Sequence, residues 1–221
     1  MQTALQFGPV LIHFDKLLLG LWQTLVLAAL SIAFGALIGT LGAVGRVFGP
    51  RWIRWPVAAY VELIRNTPLL IQLYFVFFTL PLIGFKFSSN VAAIIALSVH
   101  LGAYATEIMR AGVESVPKGQ IEAARSLGLG QWQIIRLVVL KQAARAVYPA
   151  LSAQFILQLM GTSIVGAIAA EELTAIANNL VMQTFRSFEV YILIAVIYFV
   201  VVQAASLFLA GLGKLMFRWK V

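Results

Sequence analysis

Five long stretches without Asp, Glu, Lys or Arg dominate the sequence: Leu17 to Gly45, Asn66 to Phe85, Phe87 to Thr106, Ala146 to Ala170 and Val190 to Gly213. Each supplies the ~20 residues of helix that a hydrocarbon core about 30 Å thick demands. None alternates polar and apolar residues every second position over ~10 residues, which excludes the strands of a membrane barrel. A composition of 62% hydrophobic and 11% charged residues fits the same reading. The sequence therefore predicts an all-α integral membrane protein with five transmembrane helices. Pro68 and Pro81 bracket the second stretch and place its helix near 67–83, because proline ends or kinks a helix.

Charge sets the expected orientation. The net charge of +8 would suggest nucleic acid in a soluble protein, but here the cations sit in the loops. Arg46, Arg51, Arg54 and Arg65 follow the first stretch; Arg110, Lys118, Arg125, Arg136, Lys141 and Arg145 follow the third; Lys214, Arg218 and Lys220 follow the fifth. The intervening segments hold only Lys16, Lys86 and Arg186. The excess of cations in alternate loops predicts an N-terminus outside and a C-terminus in the cytoplasm, which requires an odd number of spans. Residues 1–16 read as an extracytoplasmic N-terminal segment and 17–221 as a transmembrane domain. The first helix reads as an uncleaved anchor, since no basic residue precedes Lys16 and the apolar run is too long for a signal peptide. Zero cysteines exclude disulfides and thiolate chemistry.

Only the cytoplasmic loop at about 107–145 is long enough for structure of its own. Ile121, Ala124, Leu127 and Leu129 carry apolar surface at near-helical spacing, with Glu122 on another face. Pro117 is a helix-start signal, and Gly128-Leu129-Gly130 supplies residues able to end a short helix in left-handed geometry. Trp132 and Ile135 open the next helix. A small amphipathic helix in this position either lies on headgroups or plugs into another protein.

Glu122-Ala123-Ala124, three residues, then Gly128 resembles the EAA loop of permease subunits of ATP-binding cassette importers. The usual continuation is nine residues, then Ile, any residue, Leu and Pro; this chain has Val138, Leu140 and Lys141, so a start signal for the following helix is missing. Arg65-Asn66-Thr67-Pro68-Leu69-Leu70, Tyr104 with Glu107 and Arg110, Val116-Pro117-Lys118-Gly119-Gln120, Thr162-Ser163 and Glu172-Leu173-Thr174 narrow the resemblance to polar amino acid permeases of the histidine, glutamine and arginine type, across nearly the whole chain. The resemblance implies a type I importer fold. It implies two permease subunits forming the path, each docked through its EAA loop on an ATPase subunit that binds ATP and Mg, with an extracytoplasmic binding protein delivering solute. On that likeness Glu122, Ala123, Ala124 and Gly128 form the coupling helix, and a bulky charge at Ala124 is the expected way to break docking. Many relatives carry a charged residue just before the Thr-Ser pair, where this chain has Met160-Gly161. No cofactor is expected in this chain: its only Gly-Lys pair, Gly213-Lys214, is followed by Leu215 rather than completing a phosphate-binding loop.

Other residues carry paired readings. Glu107 and Arg110 form either a local ion pair or an inner gate or loop brace. Gln154, Gln158, Thr162 and Ser163, with Gly161, either line a substrate path or bind helices together. Gln72 is a weaker path candidate. His100 has no carboxylate in its own stretch to complete a proton relay and reads as hydrogen bonded. Gly35, Gly39, Gly42 and Gly45 permit close helix approach. Tyr74, Phe75, Phe77 and Phe78 read as packing or lipid-facing surface, and Trp52 and Trp55 as interfacial. Glu171, Glu172 and Glu189 against Arg186 make the fourth loop net negative, a solvated face or a match for a basic partner. A stand-alone channel or carrier and a membrane scaffold are the alternatives from other classes. A carrier would be expected to show buried ionisable residues or a broken repeat, and neither is evident.

Overall fold

The computed structural model describes residues 5–217, and Arg218 and Lys220 of the basic tail lie outside the described residues, as do residues 1–4 of the N-terminal segment. Every regular element among the described residues is helical. After a short turn, α1 (Gly8–Leu11), four helices are long and apolar enough to cross a membrane: α2 (Phe14–Phe48), α5 (Ser89–Glu114), a rod over Gln131–Ile168, and α10 (Ser187–Met216). The rod comprises α7 (Gln131–Ile134), a π turn (Ile135–Val139), α8 (Leu140–Gly161) and a 3-10 segment (Thr162–Ile168).

The second crossing departs from the sequence expectation of one helix near 67–83. α4 (Leu69–Tyr74), prolonged by π and 3-10 turns to Ile83, rises only about 22 Å at 1.5 Å per residue, short of a hydrocarbon core. It qualifies as a span only together with α3 (Arg51–Arg65), from which it is bent by 111°. The corner is written in Asn66-Thr67-Pro68. Asn66 caps α3 and its amide donates to Glu62 O at 2.8 Å; the Thr67 hydroxyl donates to Leu63 O at 2.9 Å; Pro68, extended at ψ 139°, opens α4 without the N–H a continuous helix would need. Counting the bent pair as one crossing gives five.

Glycines fix the centre of the bundle. A Cβ at Gly35 would lie 2.7 Å from Leu101, at Gly39 2.4 Å from Ala105, and at Gly42 2.2 Å from Thr106. These rising pairs make α2 and α5 parallel, packed backbone to backbone through small residues. α8 runs against them, since Gln158 meets Leu97 and Ser31 near one end while Gly112 faces Val147 near the other. α5 is the core helix, with 56% of its most apolar stretch buried inside the bundle, whereas the corresponding stretch of α10 is 6% buried.

Structure also occurs beyond the 107–145 loop. The first basic loop folds into α3, and the fourth loop into α9 (Leu173–Thr184). α3 keeps Val61 buried and exposes Trp52 and Trp55 by 75% and 77%, as interfacial tryptophans require. α9 is amphipathic enough to bury Leu173, Ala177 and Leu180 against Val10, Leu17, Val190 and Ile194.

Candidate functional site

At the end of the bundle where α5 finishes, Pro117 caps α6 (Lys118–Ser126) with ψ 130°. Gly128 adopts φ +78°, its N–H donates to Arg125 O at 2.9 Å, and the Leu129 N–H reaches Ala124 O at 3.2 Å, closing the helix as a Schellman turn. Nothing lies within 4 Å of a Cβ built at Gly128, so backbone conformation rather than space demands the glycine. α7 restarts at once from Gly130, whose N–H is accepted by the Gln133 side chain at 2.9 Å.

The helix divides its motif between two faces. Ala124, 3% exposed, is seated on Val116, Ile134, Val139 and Ala143, with Ile121 and Leu129 beside it. Glu122, Ala123, Arg125 and Ser126 are exposed. Leu127, grouped with the apolar face by spacing, is instead 81% exposed, because α6 ends at Ser126 and the cap at ψ 5° leaves the helical register. The outcome is a short ridge of Glu, Ala, Arg and Leu on a rigid base. Lys141, where the family pattern has proline, sits exposed in a continuous helix, and the π turn ahead of it means that no helix starts there.

Above this ridge, the last turns of α5 hold Arg110 between two carboxylates. Its Nε lies 3.0 Å and one terminal nitrogen 2.5 Å from Glu107, a two-point pairing, and the other terminal nitrogen contacts Glu114. All three residues belong to α5, and these bonds join it to no second element.

The polar residues of α8 do not share one face. Gln158, 2% exposed, donates to Leu97 O at 2.9 Å and to the Ser31 hydroxyl at 3.2 Å. Thr162 is fully buried and returns its hydroxyl to Leu159 O at 2.7 Å. Ser163 diverges from them because it lies one residue past Thr162, and adjacent helical positions point about 100° apart. It lines a cleft of about 360 Å³ with Met160, Ala195, Tyr198 and Phe199. Gln154 is half-buried, and a Cβ at Gly161 would rest 3.6 Å from Leu69.

A second polar cluster spans the α3–α4 corner. Gln72 donates to Ile64 O at 2.8 Å and to Thr67 O and its hydroxyl at 2.9 Å, while its carbonyl lies 3.0 Å from His100 Nδ1. His100 stacks near Tyr104, centroids 5.0 Å apart, and the Arg65 guanidinium sits 5.5 Å over the Tyr104 ring. His100 thus has its hydrogen-bond partner, and Gln72 ties the corner to α5. An isolated glutamine in an apolar stretch was the only sequence signal for this role.

At the opposite end, the picture of a solvated acidic loop fails for two of its three carboxylates. Glu172 is fully buried and caps α9, accepting from Thr174 N and Ala175 N at 2.7 Å each and from the Tyr198 hydroxyl at 3.0 Å. Burial pushes its carboxyl up from the ordinary value, opposed by those donors. Glu189, 5% exposed, accepts from Gln6 N at 3.0 Å and pairs with Arg186 at 3.3 Å. Only Glu171 remains exposed. Glu172→Ala is expected to cost about 2 kcal/mol, the upper end of a cap deletion, with faster hydrogen exchange in α9 than in α5 as the check.

With this geometry in hand, likeness to known proteins becomes informative. Residues 31–218 match the family described as "Binding-protein-dependent transport system inner membrane component". The chain is 35% identical over 200 residues to the glutamine transport system permease protein GlnP of Escherichia coli (strain K12), covering 89% of this chain and 91% of that one. It is 34% identical over 195 residues to the probable amino-acid ABC transporter permease protein YckA of Bacillus subtilis (strain 168), covering 88% and 86%. A crystal structure of an amino acid ABC transporter with histidines superposes with a TM-score of 0.90 at 35% identity, over 96% of this chain and 99% of that chain. The extent of these matches, on an all-helical bundle with a short projecting helix, places the chain in the family of inner membrane components of binding-protein-dependent transport systems.

Proposed function

We propose that this chain is the permease subunit of an ATP-driven importer of polar amino acids in the bacterial inner membrane. The observation that carries the reading is the ridge of α6, seated on its own subunit through Ala124 and presenting Glu122, Ala123 and Leu127 outward. The amino acid class comes from the relatives, which are glutamine and amino-acid permeases. Helix ends bearing Arg46, Arg51, Lys118, Arg125 and Lys214 gather on the α6 side, which favours that side as cytoplasmic.

In this reading α6 docks on an ATP-binding cassette subunit that holds ATP and Mg and performs hydrolysis. Gly128 ends the helix at the docking surface, and the Glu107–Arg110–Glu114 clamp stiffens the α5 end from which the loop departs. Closure of the ATPases moves α6, and the attached ends of α5 and the Gln131–Ile168 rod tilt with it to alternate access. A second permease, identical or related, completes the path, since five crossings are few to enclose one. An extracytoplasmic binding protein delivers solute at the other end.

The path residues separate by their exposure. Gln158 and Thr162 are buried and hold the wall, whereas half-buried Gln154, Gly161 and Ser163, the last with its hydroxyl returned to Met160 O at 2.8 Å, are the surface that meets solute. Gln158→Leu is expected to lower stability by about 1 kcal/mol with uptake per folded molecule retained. Ser163→Trp is expected to cut uptake with little change in thermal stability. The experiment for the whole reading is purification of the tagged chain from its native membrane in mild detergent. A co-purifying ATP-binding cassette subunit with ATPase activity is expected; stable recovery of the chain alone, transporting solute in vesicles, would overturn it.

A further inference from the structure

On the α6 side of the bundle, α2, α5, α8 and α10 diverge around a half-open cleft of about 360 Å³. Buried Ala43 and Ala143 form its floor, and exposed Val44, Phe48, Leu140 and Met216 flank its opening. Only two lining residues carry a hydroxyl, and none carries a charge or a side-chain amide. Both hydroxyls are already spent: Thr40 donates to Ala36 O at 2.8 Å and Tyr148 to Leu209 O at 2.6 Å. The cleft therefore offers a guest no free donor, and what fills it must be hydrocarbon.

Its dimensions choose between hydrocarbon guests. From Leu140 to Leu151 the lining runs about 16 Å along α8 at 1.5 Å per residue, the depth of one leaflet of a hydrocarbon core about 30 Å thick. The volume spread over that length leaves a section of about 22 Å². A flexible acyl chain fits such a section; a helix, about 10–12 Å across with its side chains, does not.

The mouth of the cleft is cationic. Leu140 is followed by exposed Lys141, and exposed Lys214 lies two residues before Met216. Arg54 reaches the end of α2 beside Phe48, its Nε donating to Gly49 O at 2.8 Å. Glu114, the one carboxylate adjacent in sequence to a lining residue, is paired with Arg110. We propose that this cleft binds one anionic phospholipid, with an acyl chain laid along α8 between α2 and α10 and the phosphate among Arg54, Lys141 and Lys214. Basic groups at the rim of a slot between membrane helices are the arrangement that selects anionic headgroups. A zwitterionic lipid would fill the slot and leave the cations unmatched, and a free phosphate would have no chain to seat in it. The site stands apart from the transport reading; only its assignment to the cytoplasmic leaflet rests on that reading.

The test uses the full-length chain with whatever subunits accompany it, purified in mild detergent and stripped of lipid by detergent exchange. Phosphatidylglycerol, phosphatidylcholine and glycerol 3-phosphate are titrated in, with native mass spectrometry counting bound lipid and thermal unfolding reading stabilisation. Saturable binding of one phosphatidylglycerol per chain is expected, about tenfold or more tighter than phosphatidylcholine, with no response to glycerol 3-phosphate. Equal binding of the two lipids, or a response to glycerol 3-phosphate matching that to phosphatidylglycerol, would overturn the proposal. Ala144→Phe fills the cleft from an exposed position and is expected to abolish the tight site. Should that variant fold poorly, Lys141→Gln combined with Lys214→Gln alters only exposed side chains. The pair is expected to cut the preference to about threefold or less while lipid of either kind still binds, and an undiminished preference would count against the site. Cross-linking of two copies of this cysteine-free chain through Ala144→Cys would put a second subunit in the cleft and overturn the proposal as well.

Discussion

Gly39→Leu is expected to eliminate the folded subunit, and Gly39→Ala to destabilise it by about 1–3 kcal/mol. The built Cβ at Gly39 falls 2.4 Å from the Ala105 Cβ and 3.2 Å from backbone atoms of Ala105 and Thr106. Backbone has no rotamer to change, so α2 and α5 must separate along the seam that Gly35 and Gly42 share. Separation loosens the contacts of α5, the most buried helix, and close packing is what holds helices together where lipid is as apolar as the side chains. Gly211→Ala is the matched control, because nothing lies within 4 Å of its Cβ and alanine suits a helix interior better than glycine. The comparison is read as thermal midpoint and monodisperse yield in detergent; equal behaviour of the two alanine variants would contradict the packing assignment.

The second large effect separates the two alanines of α6. Ala124→Arg forces a guanidinium among Val116, Ile134, Val139 and Ala143 and is expected to cost about 3 kcal/mol or more, by burying an unpaired charge. Its consequence is an unseated loop, so lost ATPase association in that variant reports folding and not contact. Ala123→Arg places the same group on the exposed face. It is expected to leave the thermal midpoint within about 0.5 kcal/mol of the parent while weakening ATPase association by about thirtyfold or more. Loss of both properties in both variants would show that the ridge does not have two faces.

These two cases mark what was legible before the fold. Membrane crossing, the glycine seam and the left-handed end of α6 depend on local composition and spacing, and Gly35, Gly39 and Gly128 take the predicted roles. The division of Ala123 from Ala124 depends on which side of a nine-residue helix meets the rest of the chain, and spacing placed Leu127 on the wrong side because it counted one residue past the cap. The 111° corner was visible as Pro68, yet a proline marks a break and says nothing of its angle; that is set by Gln72 reaching across to Ile64 and His100. Glu172 looked like a solvated charge because a buried carboxylate is unexpected in such a chain. Its burial became intelligible only with the first N–H groups of α9 pointing at it. Gln158 and Ser163, alike as polar residues of one rod, were parted by a five-residue spacing that does not match the helical period.

The central claim is that the outer face of α6 meets an ATPase subunit, and the absence of cysteine from the whole sequence allows a direct measurement. Single cysteines at Ala123, Ala124 and Leu127 are introduced and a short bifunctional thiol–amine cross-linker is applied to the assembled complex in its membrane. Adducts of the chain with the ATPase from Ala123→Cys and Leu127→Cys, and none from Ala124→Cys, are expected. Free labelling of the Ala123→Cys thiol by a bulky maleimide in the intact complex, with no ATPase adduct at either exposed position, would contradict the assignment.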